Sequence, residues 1–495
     1  MKGSTLPALG FGAFAFALYV ASLPPSFAFW DTGELQTVAA ILGIAHPPAC
    51  PVFVLLGWTF VHAIPLGEAA WRVDLMCAGA VAGAVGLLYA TARRLGVSRA
   101  AAALVTIGFA TASIVWRDAT RAEVQDVALF FRVLALVLAS SYAERGRLRD
   151  LFAAALALGL AGATHGIAIL MLPGLALVVA RRSAEFRGRA ALAVAGGIAL
   201  GLVPYAYLPL RSAWLYAHHV DPTLAIGLPP GAPFWDYDHP ATLRNFIRVI
   251  TGADFDTHSG FAGFFEPARY PHFAAALIVR LGAAFGVGGA ILAAVGAGFL
   301  ALSRRHERIA LLLVALTIVP YTEAYSMLQD PDRYYLLALW CGAIAIGVGF
   351  DAVARLVALE RASIGRYALL GALVVSFVAA APGRLSIFAQ REDYGARDYA
   401  RDIAELVPDR SIVLAEWAYA TPLAYAAYVD GTFGRRITVA AAPAQYLAYV
   451  PQWLATRSVY VVSFNADLTL PGFAVVPIKS SSYYVYRIAA LGRHP

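Results

Sequence analysis

The sequence predicts a mainly α, polytopic transmembrane helical bundle that carries a small α/β domain in its C-terminal part. Of the 495 residues, 60% are hydrophobic and only 14% are charged, and the mean hydropathy is +0.67. Soluble globular domains carry about 25% charged residues, so this composition excludes an ordinary soluble protein. The three cysteines are too few and too scattered to form a disulfide framework.

Apolar runs predict about eleven membrane spans. They lie at 6–23, 73–92, 100–116, 124–141, 150–165, 167–180, 190–209, 275–302, 309–327, 334–354 and 367–381. The first run is expected to be a retained span rather than a signal peptide, because it is long and further spans follow. The shorter run at 52–65 predicts an interfacial or re-entrant helix.

Arginines predict the orientation, because every second short loop is basic. These loops lie at 93–99, 145–149, 181–189, 304–308 and 355–366. The positive-inside rule puts them in the cytoplasm and the opposite loops outside, in a multi-pass protein of the bacterial inner membrane. The net charge of +7 is therefore interpreted as topology, and no nucleic-acid partner is expected.

We expect a membrane module at 1–384, with outer loops 24–72 and 211–274, and an extracytoplasmic α/β domain at 385–495. β-branched and aromatic runs predict strands at 411–415, 437–441, 459–463, 473–478 and 483–488. Between them, helices are predicted at 396–406, 422–428 and 443–455. The domain has no glycine-rich phosphate pattern, so no nucleotide is assigned. A stabilising cap and a docking surface both remain open as its role.

The stretch Trp30-Asp31-Thr32-Gly33-Glu34, followed by His46-Pro47-Pro48, is the leading candidate for the functional site. If Asp31 begins a helix, then Asp31 and Glu34 lie on one of its faces. Two carboxylates at the end of a membrane span suit general-base chemistry or the positioning of a polar acceptor. The alternative is structural, with Asp31 as a helix cap and Glu34 in the first turn.

Further polar residues lie on the same predicted side of the membrane. They are Arg121 and Glu123 in the segment 117–123, His165 in a tight turn, Arg211 after a span, and Arg333 with Tyr334 in the segment 330–334. Each has a structural alternative, such as snorkelling to headgroups, helix capping or bonding within a turn. Together they suit an anionic lipid-linked substrate, because arginine forks bind phosphate and a carboxylate can deprotonate an acceptor hydroxyl.

A metal site is the tempting interpretation of the long outer loop. It contains His218, His219, Asp238 and His239, but their spacing matches no zinc signature. The interleaved aromatic residues favour a membrane interface or a sugar-stacking surface instead. We therefore assign no metal ligands and no cofactor, although a divalent metal is not excluded.

These motifs resemble the protein O-mannosyltransferase-like family of polytopic membrane proteins, in the GT-C superfamily of glycosyltransferases. The resemblance starts with Asp31-x-x-Glu34 and Gly43-Ile44-Ala45-His46-Pro47-Pro48. It continues at 121–124, 208–212, 332–334 and 416–436, and so covers most of the chain. The chain departs from the family pattern at Ala49-Cys50, where glycine and an aromatic residue are expected.

The resemblance implies a GT-C-like fold and an inverting transfer of a sugar, with mannose as the first candidate. The donor would be a polyprenyl-phosphate sugar, and the acceptor a hydroxyl of a protein Ser/Thr or a glycan on the extracytoplasmic face. By the same analogy, Asp31 is the base, Glu34 orients the acceptor or supports Asp31, and His46 braces the loop or contacts the donor phosphate. The implied residues for the leaving phosphate and the pocket are Arg211 and Arg333, and Arg121, Glu123, His165 and Tyr334.

Two other classes of function stay open. A transporter or flippase for a lipid-linked glycan would also place arginines and carboxylates on this face. Such proteins tend to show an internal repeat of two related halves, and the sequence shows none that we recognise. A non-catalytic protein that binds glycans and membrane lipids would tolerate the loss of Asp31, whereas the enzyme would not.

Overall fold

The computed structural model describes residues 5–491 except for 183–186, 233–234, 256, 304, 326–329, 358–363, 381–383 and 442. In this part of the chain, contacts group the residues into two compact units. The helical unit comprises the chain up to Leu23, Leu75–Tyr205 and Gly252–Arg391. The α/β unit comprises Pro24–Asp74, Ala206–Thr251 and the chain from Glu392 onward. The division into 1–384 and 385–495 stays a prediction.

The described residues form 21 α-helices and five strands. The helices are α1 (Thr5–Val20), α2 (Trp30–Ile41), α3 (Pro51–Ala63), α4 (Ala69–Arg94), α5 (Arg99–Thr111), α6 (Ser113–Ala119), α7 (Val124–Arg145), α8 (Leu148–Thr164), α9 (Leu172–Ala180), α10 (Gly188–Leu202), α11 (Tyr207–Ala217), α12 (Leu243–Thr251), α13 (Thr257–Ala262), α14 (Tyr270–Ala301), α15 (His306–Ala324), α16 (Leu336–Val357), α17 (Ile364–Ala379), α18 (Arg384–Ala389), α19 (Gly395–Leu406), α20 (Trp417–Tyr428) and α21 (Val450–Leu454). The strands are β1 (Ile412–Ala415), β2 (Ile437–Ala440), β3 (Val459–Ser463), β4 (Phe473–Ser480) and β5 (Tyr484–Ala490).

The protein is a multi-pass helical membrane protein, as the composition predicted. Among the described residues, five helical segments are long and apolar enough to cross a membrane: 69–94, 124–145, 188–217, 267–301 and 332–356. The pair α5 and α6 passes the same test but is bent by 58°. The number of about eleven spans stays a prediction, because several predicted spans are short or broken. The run 167–180, for example, is a 3₁₀ helix, Gly166–Met171, followed by the nine-residue α9.

The arginine-rich loops of the helical unit gather at one end of its helices, which we call the basic end. There α4 ends at Arg94, α5 begins at Arg99 and α15 begins at His306. Arg308 Nη2 donates to the carbonyl oxygen of Leu95 over 2.7 Å and joins the start of α15 to the end of α4. Two further residues of predicted basic loops, Arg304 and Arg361, lie outside the described residues.

Glycines allow α14 and α16 to pack at backbone distance. A Cβ atom on Gly296 would lie 1.8 Å from the carbonyl oxygen of Ala345. A Cβ atom on Gly349 would lie 2.1 Å from the carbonyl oxygen of Leu292. No side chain fits at such distances, so the contact requires glycine at both positions, as is common where helices cross in a membrane.

The α/β unit is built on a five-stranded mixed sheet with the order β2-β1-β3-β5-β4. β1 runs parallel to β2 and β3, and β5 runs antiparallel to β3 and β4. Alternate residues of β1 face two different apolar clusters. Val413 packs with Tyr399 and Ile403 of α19, whereas Leu414 packs with Trp453 of α21. Both faces of the sheet centre are therefore covered, which explains why β1 is buried throughout.

The predicted C-terminal sheet domain is confirmed, and the predicted strands agree with β1–β5 to within about two residues. Two of the predicted helices differ from the structure. The helix predicted at 443–455 is a 3₁₀ helix, Pro443–Tyr446, followed by the short α21, Val450–Leu454. The helix predicted at 422–428 begins five residues earlier, at Trp417, with Pro422 inside it. Proline favours the first turn of a helix, so Pro422 was interpreted as its start. The burial of 418–426 stabilises the longer helix despite the missing N–H group.

We expect the substitution Gly296→Ala to destabilise the helical unit by about 1–3 kcal/mol, because the added methyl group would overlap the Ala345 carbonyl. The measurement is the thermal unfolding midpoint of the purified protein in detergent. Gly298→Ala is the matched control, because a Cβ atom there has no neighbour within 4 Å. Equal midpoints for the two variants would contradict the close packing of α14 on α16.

Candidate functional site

Asp31 and Glu34 lie in the first two turns of α2, which is anchored within the α/β unit. Gln36 accepts a hydrogen bond from the Ala28 N–H (2.9 Å) and donates to Asp74 (3.0 and 3.1 Å). At Gly33, a Cβ atom would lie 3.1 Å from Thr421 Oγ1 of α20. The helix therefore lies tightly on α20 at the turn that carries Asp31. The N-terminal end of a helix favours carboxylates, because unpaired N–H groups point outward there.

Asp31, Glu34 and His46 form a compact triad of side chains. One carboxylate oxygen from each acid and one ring nitrogen of His46 lie within 4.8 Å of one another. Glu34 Oε1 accepts the backbone N–H of His46 over 2.7 Å, and Glu34 Oε2 forms a short hydrogen bond with His46 Nδ1. Glu34 thus joins α2 to the loop that carries His46.

Burial raises the pKa of Glu34, and the neighbouring Asp31 carboxylate raises it further, while His46 acts in the opposite direction. Glu34 has no exposed surface, so its ionised form depends on the two hydrogen bonds from His46. When the pair is ionised as Glu34 carboxylate and neutral His46, the ring proton lies on Nδ1 and leaves Nε2 as an acceptor.

A tryptophan from α20 completes this group. Trp417 Nε1 donates to Asp31 Oδ1 over 2.9 Å, and the Trp417 ring meets the His46 ring edge-on at 6.0 Å. Trp417 follows directly after β1 and Glu416, so the sheet positions it. The bond orients the Asp31 carboxylate, and the ring borders the space beside it.

The loop around His46-Pro47-Pro48 is held in a single conformation by its backbone. Ile44 N–H donates to the Trp235 carbonyl (2.6 Å), and Ile44 pairs with Asp236 in an isolated parallel bridge. The Pro47–Pro48 peptide bond is cis. Ala49 (φ 64°) and Cys50 (φ 43°) follow in the left-handed region. Glycine, which the resemblance implies at position 49, would adopt this backbone freely, and the alanine occupies it at a cost of about 1 kcal/mol.

Arg211 supports α2 from its other end. Its Nε and Nη2 donate to the carbonyl oxygens of Leu42 (2.8 Å) and Ile41 (2.9 Å), where α2 ends. Its guanidinium also stacks over the Trp214 ring at 4.3 Å. In this arrangement Arg211 caps the C-terminus of α2, and its assignment to a donor phosphate stays a prediction.

One group of described residues has the composition of a metal site. Asp31, Glu34 and His46 would offer two carboxylates and an imidazole to a divalent cation. The histidines of the long loop form no such group within the described residues. His239 Nδ1 lies 2.9 Å from Asp236 and 3.0 Å from Ser212, so a single ring nitrogen serves both contacts. Ser212, His239 and Asp236 therefore do not form a proton relay, which would need one partner on each ring nitrogen of the histidine.

A cluster of four arginines and five carboxylates lies at the opposite end of the helical unit from the basic end; we call it the ion-pair cluster. Its members are Arg117, Arg121, Arg280 and Arg333, with Asp118, Glu123, Glu323, Asp330 and Asp332. Arg121 Nη2 lies 2.6 Å from Asp118 and 2.9 Å from Asp330. Arg333 Nη1 lies 3.1 Å from Glu123.

The charge balance of the ion-pair cluster limits what it can bind. Its carboxylates outnumber its guanidinium groups, so a phosphate would have to displace a carboxylate partner. Burial alone would raise the pKa of Asp330, but its hydrogen bond to Arg121 and the charges of Arg121, Arg117 and Arg333 hold it below its usual range. Asp330 is therefore a carboxylate that the arginines keep ionised.

The remaining predicted pocket residues meet beside this cluster. The His165 ring lies edge-on to the Tyr334 ring at 5.6 Å, and His165 Nδ1 accepts the Ile167 N–H over 3.3 Å. Arg333 lies over Tyr334 at 5.7 Å. Within the helical unit, the structure thus brings together Arg121, Glu123, Arg333, Tyr334 and His165. Within the α/β unit it brings together Asp31, Glu34 and His46, with Arg211 at the far end of α2.

The sequence analysis missed Trp417 and the pair formed by Glu416 and Ser463. Ser463 Oγ donates to Glu416 Oε1 over 2.5 Å. Both residues lie at the carboxyl ends of the neighbouring parallel strands β1 and β3. Functional residues often gather at this edge of a parallel sheet. The predicted strands were the available signal, but their pairing order was not known.

We expect Glu34→Gln to move the ring proton of His46 from Nδ1 to Nε2 at pH 8. The amide of the new side chain can still accept the His46 backbone N–H, but its NH₂ group would donate to Nδ1. The measurement is ¹⁵N NMR of histidine-labelled protein, with the resonance assigned from His46→Ala. Glu416→Gln is the matched control. The same His46 tautomer in the wild type, Glu34→Gln and Glu416→Gln would contradict the hydrogen bond between Glu34 and His46 Nδ1.

We expect Asp330→Asn to destabilise the protein by about 1 kcal/mol at pH 7, a modest value because 32% of the Asp330 side chain is exposed. The depressed pKa of Asp330 means that its stabilisation is present above the unfolded value near 3.9 and is lost as the pH falls through the lower folded value. The difference between the thermal midpoints of variant and wild type should therefore shrink as the pH falls below about 3.9. If the difference in thermal midpoint is the same at pH 3 as at pH 7, the destabilisation comes from packing and not from the charge of Asp330.

Comparison with known proteins identifies sequence relatives. A family model for the protein O-mannosyl-transferase TMEM260 N-terminal domain matches residues 31–187, a range that begins at Asp31. The protein O-mannosyl-transferase TMEM260 of Mus musculus is 29% identical over 251 residues, which cover 49% of this chain and 33% of that protein. The Dictyostelium discoideum protein of the same description is 41% identical over 61 residues, covering 12% of this chain and 7% of that protein. The matches thus span a third or less of these relatives.

Solved structures show the same fold. ArnT from Cupriavidus metallidurans in the apo state aligns with a TM-score of 0.57 at 15% identity, over 98% of both chains. ArnT bound to undecaprenyl phosphate aligns with a TM-score of 0.54 at 15% identity, over 99% of both chains. The predicted resemblance to protein O-mannosyltransferase-like proteins is therefore confirmed, and the chain has the fold of ArnT.

Proposed function

We propose that this protein is an inverting glycosyltransferase that moves a sugar, mannose in the first instance, from a polyprenyl-phosphate donor to a hydroxyl acceptor. The acceptor class is a protein Ser/Thr or a glycan. The observation that carries the proposal is the group of Asp31, Glu34 and His46 on and beside α2, with Trp417 bonded to Asp31. In this group the partly exposed Asp31 carboxylate is oriented by the N–H group of Trp417.

In the proposed reaction, the acceptor oxygen attacks the anomeric carbon of the donor sugar. The bond between that carbon and the phosphate oxygen breaks, and polyprenyl phosphate leaves. The proton of the acceptor hydroxyl passes to the Asp31 carboxylate, which acts as general base. Attack from the side opposite the leaving phosphate inverts the anomeric configuration, so a single displacement needs one base and no covalent sugar intermediate.

The neighbours of Asp31 support this role. The Trp417 N–H donates to one carboxylate oxygen, which fixes the plane of the group. Glu34 keeps His46 next to Asp31 through two hydrogen bonds. In the proposal, His46 Nε2 accepts a hydrogen bond from a second acceptor or donor hydroxyl, because Nδ1 is bonded to Glu34. The aromatic faces of Trp30 and Phe464, stacked at 6.4 Å and both exposed, suit a sugar ring.

The donor phosphate is proposed to bind arginines that the sequence analysis identified, with Arg333 first. The support is chemical, because Arg333, Tyr334 and His165 meet in one place and offer donors to a phosphate. Binding would require Arg333 to exchange its Glu123 partner for a phosphate oxygen. Glu123 would then be available to a sugar hydroxyl. Arg121 is paired with Asp118 and Asp330, so its proposed role is to hold these carboxylates in place beside the phosphate site.

The comparisons support the same class of chemistry. The curated relatives are described as protein O-mannosyl-transferases, and one ArnT structure holds undecaprenyl phosphate. The extracytoplasmic face is proposed for Asp31 from the positive-inside rule applied to the basic loops of the sequence. A bacterial inner membrane stays a prediction, because both curated relatives are eukaryotic proteins.

A transfer assay with the purified protein in nanodiscs tests the proposal. Radiolabelled polyprenyl-phosphate mannose and polyprenyl-phosphate glucose are offered with a membrane extract as acceptor. We expect transfer by the wild type and a loss of about 10²–10⁴-fold in Asp31→Asn, the usual effect of removing a general base. Asp398→Asn, at a carboxylate with 65% exposure in the same unit, is the matched control and should keep full activity.

The outcomes of this assay separate the classes of function. Transfer that survives in Asp31→Asn would remove Asp31 from the role of base. If the wild type binds a donor but transfers neither sugar, the result would favour a transporter or a non-catalytic binder.

A further inference from the structure

Two adjoining cavities at the basic end of the helical unit have no role in the proposed reaction. One is a polar cavity of about 370 Å³ between α4, α7 and α15. The other is a mainly apolar groove of about 980 Å³ between α1, α4 and α7. Thr91, Arg94 and Val137 line both, so the polar cavity and the apolar groove are neighbours. The ion-pair cluster lies at the other end of α7, so these cavities are separate from the predicted donor-phosphate residues.

The charge around the two cavities is positive. Five arginines line them, together with two glutamates. The glutamates are already paired, because Arg94 Nε lies 2.8 Å from Glu144 and Arg181 Nη1 lies 2.6 Å from Glu307. Among the described residues, the side chains of Arg99 and Arg305 form no hydrogen bond or ion pair. The cavities therefore carry an excess of cationic groups.

Two polar atoms at the polar cavity are buried without a partner in the part of the chain that the structure describes. They are Arg94 Nη2 and His306 Nδ1. A buried donor without an acceptor is costly, by about 1–3 kcal/mol, and an anionic oxygen beside Arg94 would remove that cost. The polar cavity thus has the size, charge and unsatisfied donor of a site for an anionic headgroup.

The apolar groove has the length of one membrane leaflet. Its wall on α1 runs from Thr5 to Phe16, a rise of about 17 Å along a helix. That is close to half of a hydrocarbon core of about 30 Å. At Gly86, α4 packs on the α1 backbone, where a Cβ atom would lie 2.9 Å from the Ala8 carbonyl oxygen. At Gly79 the space is open, because a Cβ atom there would have only the Phe16 ring within 4 Å, at 3.8 Å. The groove therefore begins at the basic end, and its length matches one leaflet.

We propose that the polar cavity and the apolar groove together bind one anionic glycerophospholipid from the leaflet at the basic end. The phosphate group lies in the polar cavity near Arg94 and Arg305, and the acyl chains lie in the groove along α1 and α4. Basic pockets between membrane helices are known to bind phospholipid headgroups in this way. A long polyprenyl chain fits the groove less well, because the groove covers only one leaflet.

The test is native mass spectrometry of the delipidated full chain, titrated with phosphatidylglycerol and with phosphatidylcholine of the same acyl composition. We expect one tight site for phosphatidylglycerol and at least tenfold weaker binding of phosphatidylcholine. Arg99→Gln and Arg305→Gln should each weaken the tight site about fivefold. Neither variant breaks an internal ion pair among the described residues, so folding should be preserved. Arg147→Gln, an exposed arginine at the same end that lines neither cavity, is the charge control.

A second pair of variants tests the shape of the site. Gly79→Leu puts a side chain into the groove and should weaken phosphatidylglycerol binding several-fold. Gly298→Leu, at a position on α14 with no neighbour within 4 Å of a Cβ atom, should not.

Several results would overturn the proposal. Equal effects of Arg147→Gln and Arg305→Gln on phosphatidylglycerol binding would mean a general attraction between cationic protein and anionic lipid. Equally tight binding of phosphatidylcholine would mean that the site does not select an anionic headgroup. Competition by millimolar inorganic phosphate would point to a soluble anion. Tighter binding of undecaprenyl phosphate, weakened by Arg305→Gln, would make this a second site for the lipid carrier.

Discussion

A buried carboxylate that accepts two hydrogen bonds from one histidine is the interaction on which the candidate site depends. Glu34 is fully buried on α2, and His46 is its partner in a loop twelve positions later. A buried acceptor that loses its hydrogen-bond donors costs about 1–3 kcal/mol, and more when it is a carboxylate. The bonds therefore fix the loop to the helix. Asp31, one turn before Glu34 on the same helix, is held beside His46 as a result.

The supports around this pair come from distant parts of the α/β unit. Gly33 permits α2 to lie against α20, Arg211 caps the last carbonyls of α2, and Trp417 bonds Asp31. Together these contacts restrict the movement of α2 and of the Asp31 side chain. A carboxylate that acts as a base must be placed to within a fraction of an ångström, and a helix held at both ends provides such a position.

The sequence was informative where local chemistry decides the structure. The helix that carries Asp31 and Glu34, the short helix after Pro51 and the five strands follow from spacing, apolar runs and β-branched composition. It was less informative where the partner is remote. Trp417 could not be paired with Asp31, because the packing of α20 on α2 is a tertiary property. Arg211 was interpreted as a phosphate ligand, since its bonds to helix carbonyls leave no local signal.

The contact between Asp31 and Trp417 has a consequence for biosynthesis, because 386 positions separate the two residues. A ribosome adds about 5–20 residues per second, so α2 waits on the order of 20–80 s before its tryptophan partner has been made. During that time α2 has left the exit tunnel while the strand that precedes Trp417 does not yet exist. The unit that carries Asp31 therefore stays unfinished for most of translation, and the first turn of α2 reaches its final arrangement only after the C-terminal part of the chain has been made.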